Sequence, residues 1–159
     1  MDLGDLEEVL DQARLWGAEL DPRFRVLATT LELAAGSGPW ELGADRRIQL
    51  LCFPVSTILA SLRRTSVVPP EQVTFTTDQL VDVTAGFGGA VLEPPIFGRP
   101  QPAPGEWGPA FSLQGNSSAP DGRLRTITLA VADAEARLEV FARFDAFEVR
   151  DAQGEDLLG

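Results

Sequence analysis

The sequence predicts an α+β domain, a mostly antiparallel sheet of about six to eight strands with two helices, and three observations predict it. Apolar and polar residues alternate in short runs over much of the 159 residues, most regularly from residue 126 to residue 149. Gly, Pro, Asn and Asp separate these runs at short intervals, which suits hairpins better than crossover helices. Only two stretches, 3–17 and 76–89, space their apolar residues as a helix does. A β-sandwich with peripheral helices is the alternative architecture. No internal repeat and no long linker divides the chain, so residues 1–159 are expected to form a single domain.

The first twenty residues are expected to carry an N-terminal helix over 3–17. Leu3, Leu6, Val9, Leu10, Ala13 and Trp16 recur at helical spacing, and Asp5, Glu7, Glu8 and Asp11 fall mostly elsewhere, with early acids opposing the helix dipole. Asp21-Pro22 breaks that pattern, residues 23–33 read as a strand, and GSGP at 36–39 is a turn. The run RRIQLLCFPVSTILASLRR at 46–64 is too short, and too interrupted by Pro54 and polar residues, to cross a bilayer. It reads as two strands, 46–53 and 55–63, bent at Pro54, with Cys52 as a small hydrophobe on the core face. VVPP at 67–70 is a corner, and Val73 and Phe75 make a short strand.

The second helix, within 76–89, takes Thr77 as N-cap, Leu80, Val83 and Phe87 as its apolar face, and Gly86, Gly88 and Gly89 as its end. Those glycines close a helix. A phosphate loop opens one after a strand, and the chain contains no Gly-Lys-Ser/Thr. Residues 93–109, EPPIFGRPQPAPGEWGP, are too rich in proline for a central strand or helix and are expected to form a long loop packed down by Ile96, Phe97 and Trp107. GNSSAPDG at 115–122 is a turn. In the next strand Ile127, Leu129 and Val131 lie opposite Thr126, Thr128 and Ala130. In the one after it Leu138, Val140, Ala142 and Phe144 lie opposite Arg137, Glu139, Phe141 and Arg143. Phe147 and Val149 belong to a last strand, and residues 151–156, DAQGED, form a hairpin turn because they lack the alternating oxygen ligands of a calcium loop.

Composition excludes more than it assigns. All 13 basic residues are Arg, and the chain has no Lys, His or Tyr and one Cys. The usual Ser-His and Cys-His dyads, lysine Schiff bases, the P-loop lysine, structural thiolate zinc and internal disulfides are therefore out of reach. No catalytic residue, metal site or cofactor is predicted. Against 24 acids the net charge is -11, so neither nucleic acid nor an anionic membrane is an expected partner. The first twenty residues lack the apolar stretch of a signal peptide, which places the chain in the cytoplasm, where an unpaired thiol is ordinary.

VSTILASLR at 55–63, AGFGG at 85–89 and FDAFEVRDAQGEDL at 144–157 together resemble a family of small acidic bacterial proteins with no assigned activity. The resemblance covers much of the chain after residue 45. It implies a bacterial origin and no mechanism.

Three functional expectations follow. The first is a non-catalytic interaction or accessory protein, self-associating or bound to a protein partner. Its grounds are the missing catalytic residue types and the apolar Leu51, Phe53 and Phe141 on otherwise polar strand faces, which the proline-rich loop would explain equally well by covering them; Trp107 of that loop is a further binding candidate. The second is a small-molecule binder or carboxylate/Arg enzyme built on Arg137, Glu139 and Arg143, with Glu148 and Arg150 nearby; ordinary cross-strand ion pairing is the plainer account of those charges. The third is an acidic inhibitor or immunity-type protein, grounded in net charge alone.

Overall fold

Strand pairing explains most of the chain in the computed structural model, which describes residues 1–103, 111–114 and 125–159. Two short helices, α1 (Leu3–Val9) and α2 (Leu80–Ala85), accompany eight strands: β1 (Arg14–Asp21), β2 (Val26–Glu32), β3 (Arg47–Arg64), β4 (Glu71–Val73), β5 (Ala90–Val91), β6 (Phe111–Gln114), β7 (Arg125–Ala132) and β8 (Ala136–Asp151). The fold is α+β, as the sequence predicts. The strands lie in the order β5-β1-β2-β3-β8-β7, every pairing is antiparallel, and β4 and β6 add to the far half of β3.

The sheet curls until its edges meet. Beyond β5, the Leu92 N–H donates to Ala13 O beside β1 (2.9 Å), and the Glu93 N–H donates to Ala130 O on β7 (2.9 Å). Thr128 N–H donates to Ile96 O (2.7 Å) and Gly98 N–H to Thr126 O (3.2 Å), so residues 92–98 form a seam that joins the two edges into a barrel. As expected, residues 93–103 form no strand, but the loop is tied to the β7 edge through one isolated bridge, Phe97–Ile127, and these backbone bonds. Pro94 and Pro95 have no N–H to donate, and α1 takes two of the N–H groups that follow. The Glu7 carboxylate accepts the N–H groups of Ile96 (2.8 Å) and Phe97 (2.9 Å), which fastens α1 to the seam. Ile96 and Phe97 are buried, as expected. Trp107, the rest of the proline-rich segment from residue 104 and the 115–122 turn lie outside the described residues.

The interior is one cluster, with Leu15, Leu27, Leu31, Ile48, Leu50, Cys52, Ile58, Leu129, Val140 and Phe144 among its buried members, joined by Leu6, Val9 and Leu10 from α1. Among the described residues, no helix is long and apolar enough to cross a membrane.

Several element boundaries differ from the sequence reading: β2 starts only at Val26, after a turn at 22–25, and β4 is Glu71–Val73, which leaves Phe75 outside it. Helix α1 ends at Val9, seven residues after its Asp2 N-cap, and Trp16 belongs to β1. A capping box starts α1, with the Asp5 N–H donating to Asp2 Oδ1 (2.8 Å) and the Asp2 N–H to Asp5 Oδ2 (3.0 Å). Gln12, at φ 62°, then turns the chain out of helical conformation and into β1, which pairs with β2 along its length. The two strands expected at 46–53 and 55–63 are one, β3, whose register slips between Val55 and Thr57. The extra residue at the slip is Ser56, two positions after Pro54, which itself has no N–H for the ladder. The same continuity holds in β8, where 138–144 and 147–149 are parts of one strand. Finally, the Thr76 N–H donates to the Gln79 side chain (2.9 Å) and Thr76, not Thr77, begins the turn into α2.

Candidate functional site

The outward surface of the barrel has two halves, and each holds part of the predicted site. On the first, where β3, β8 and β7 run side by side, Arg63 lies opposite Arg137, Ser61 opposite Glu139, Leu59 opposite Phe141 and Thr57 opposite Arg143. Arg137 forks onto the seam, its Nη1 and Nη2 donating to the two Glu93 carboxylate oxygens at 2.7 Å each, while its Nε donates to Glu139 Oε1 at 2.7 Å. Arg63 Nη2 donates to the same Glu139 oxygen at 3.0 Å. Glu139 is only 9% exposed, so the two guanidinium groups satisfy a carboxylate that burial alone would disfavour. The bond from Arg137 holds Glu93 below the usual glutamate range, and the bond to Glu93 raises the Arg137 guanidinium still further.

Arg137 and Glu139 are thus brought together, but as a clamp between the seam and β8, with Arg137 bonded to both Glu93 oxygens and Glu139 Oε1 shared by Arg137 and Arg63. Arg143 stands apart, four residues along β8, and its Nε is buried without a hydrogen-bond partner. Phe141 does not supply exposed apolar surface; it is fully buried between Leu59 and Thr128. Cys52 is buried in the core, and burial pushes its thiol far above the ordinary range, away from the reactive thiolate. No group of three or more metal-ligating side chains forms among the described residues.

The second half is the outer face of β1, β2 and the first part of β3, flanked by the end of β8. Leu51 and Phe53 lie here, both half-buried. Cross-strand rows define the face: Arg14–Glu32–Arg47, then Gly17–Thr30–Gln49–Arg150, then Glu19–Ala28–Leu51–Glu148, with Asp21–Val26 and Phe53–Ala146 at the far end. Apolar side chains occupy outward positions in the last two levels, where a solvated sheet would carry polar ones.

Sequence reasoning missed the most prominent residue of this face. Trp16 is the extra residue of a β-bulge, since the β1–β2 register slips between Leu15 and Gly17. A bulge re-aims a side chain, and this one leaves an indole 40% exposed. Two devices hold it. The Ala18 N–H, just past the bulge, donates to Thr84 Oγ1 of α2 (2.9 Å). Gly89, at φ +79°, passes so close under the ring that a Cβ there would stand 2.6 Å from Trp16 Cζ2. Beside Trp16 lies a shallow groove of about 470 Å³ lined by Glu32, Ala44, Asp45 and Arg47. Phe24, 64% exposed, marks the opposite end at the β1–β2 turn, with Arg23 stacked on its ring at 5.2 Å. The available signal was the pair Trp16-Gly17 with Gly88-Gly89 to pack beneath it, but a helical assignment for 3–17 placed the indole in the core.

Charge is nearly balanced across this face. Arg14, Arg47 and Arg150 stand among Glu19, Glu32 and Glu148, and the flanking turns add Arg23 and Arg25 against Asp21 and Asp45. Asp151 borders the face beside Arg47 and Gln49, so five positive stand against six negative groups and most of the formal charge of -11 belongs to the remainder of the chain. The chain matches no protein-family model, no curated protein and no solved structure, which leaves this geometry as the ground for assigning a role.

Proposed function

We propose that this protein is a non-catalytic binding module that engages a protein through the outer face of β1, β2 and β3. The observation that carries the reading is Trp16, delivered to the surface by a bulge and fixed there by Gly89 and Thr84, at the head of a band that includes Ala28, Leu51 and Phe53. Tryptophan presented rigidly on a surface is the residue type that contributes most to protein interfaces. A carboxylate/Arg enzyme finds less support, because Arg137 and Glu139 are spent on the seam. An acidic decoy would turn an acid-only surface to its target, whereas the aromatic face here is nearly balanced in charge.

The test is hydroxyl-radical footprinting of Trp16, Phe24 and Leu51 in the native lysate and in dilute purified protein. Protection in the lysate that is absent on dilution supports the reading. Equal, full reactivity in both refutes it.

A further inference from the structure

The binding face also indicates its own occupant, an inference that rests on the reading above. We propose that the occupant is a second copy of the chain, packed face to face about a two-fold axis that lies parallel to the sheet and crosses the strands at the level of Thr30 and Gln49.

Charge restricts where two copies can meet. A chain of net charge -11 repels its copy over most of its surface, and the face around Trp16 carries little of that excess. The β1 strand of the face is also self-complementary: Arg14 lies on one side of the Thr30–Gln49 level and Glu19 on the other. A two-fold axis across the strands exchanges these levels while keeping each strand over its own copy, so Arg14 comes to face the partner's Glu19.

Both of these groups need such a partner. Arg14 donates only to the Gly89 carbonyl, at 3.3 Å, and meets no carboxylate, while Glu19 has neither an ion pair nor a hydrogen bond from its side chain among the described residues. Glu32 is flanked in its own row by Arg14 and Arg47, with no ion pair to either among the described residues. Trp16 lies near the axis and packs against its own copy, filling part of the roughly 10 Å that separates stacked sheets.

Sedimentation equilibrium of the full chain tests this. The wild type is expected to dimerise, and Arg14→Glu and Glu19→Arg are each expected to weaken the dimer by about ten-fold or more, since each sets like charges against each other at two symmetric contacts. The double variant Arg14→Glu/Glu19→Arg restores it, which a merely damaged fold would not do, and Leu51→Glu, at an outward position, abolishes it. A wild type that stays monomeric at hundreds of micromolar overturns the proposal, as does a dimer indifferent to the charge exchange. If the wild type is monomeric while Trp16 is protected in lysate, the binding reading stands and the occupant is a different protein. If Trp16 is reactive everywhere, both fall.

Discussion

Replacing Arg137 by Met removes the clamp between the barrel seam and β8 while keeping much of the side chain's apolar volume. Two of its three strong bonds go to Glu93, whose side chain is 43% exposed, so solvent already weakens them and their loss is worth at most ~1 kcal/mol. The third goes to Glu139, 11% exposed at its side chain, which would keep only Arg63. Leaving a nearly buried carboxylate with half its partners costs ~2 kcal/mol. The expected loss is therefore about 2–3 kcal/mol at pH 7, read from urea unfolding followed by far-ultraviolet circular dichroism. Acid should shrink the gap. Glu93 has a folded-state pKa below its unfolded value, so its contribution is complete above the usual glutamate pKa of ~4.3 and disappears as pH falls through the lower folded value. The difference between wild type and Arg137→Met is thus expected to be smaller at pH 3 than at pH 7, and Arg137→Lys, a point charge without the fork, to recover only part of the loss. A neutral-pH loss below ~0.5 kcal/mol, or a gap that stays constant into acid, would refute the reasoning.

Glu7→Gln weakens the tie between α1 and the seam by ~1–2 kcal/mol, and amide exchange at Ile96 and Phe97 should accelerate while exchange in β3 keeps its order. Gly89→Ala meets both the Trp16 ring and a left-handed backbone, for a combined cost of ~2 kcal/mol in thermal unfolding. In a Trp16→Ala background the steric share is relieved and ~1 kcal/mol of backbone cost remains; additive costs in this double-mutant cycle would show that the ring does not rest on Gly89. The Cys52 thiol should react with a disulfide reagent only along the urea unfolding curve, and rapid stoichiometric labelling in native buffer would place it outside the core.

Much of the fold was legible because it is local. Leu138, Val140, Ala142 and Phe144 alternate as one face in the sequence and are buried together, and Cys52 lies among them. The outward direction of Leu51 and Phe53 follows from the same period of two. Non-local bonds left no such mark. Glu93 and Arg137 are 44 residues apart and Glu7 and Ile96 are 89, so nothing in either neighbourhood announces the seam that they fasten. The N-terminal stretch misled for a different reason: Leu6, Val9, Leu10 and Ala13 are buried at helical spacing, but the chain leaves the helix after Val9 and buries the last of them through a turn. Phe141 is fully buried although it alternates with the core face of β8, and a period of two carries no signal of what covers the other face.

Closure and display depend on the same device. A strand of 18 residues extends about 60 Å if straight, far more than a barrel this small can take without coiling, and the slip at Val55–Thr57 supplies the extra twist. Beside that slip, Val55 donates to Arg25 O at 2.8 Å and so docks the tip of the β1–β2 hairpin, with Phe24 next to it. Beside the second slip, at Leu15–Gly17, the Ala18 N–H is bonded to Thr84, and the bulge turns Trp16 outward. Each bulge thus has a bonded backbone N–H next to it and an aromatic residue near it at one end of the face. Removing the Thr84 hydroxyl as Thr84→Val should loosen the indole without touching it, and lowered Trp16 fluorescence anisotropy, measured with Trp40 and Trp107 replaced by Phe in both proteins, is the expected sign. An unchanged anisotropy would show that the bulge holds Trp16 unaided.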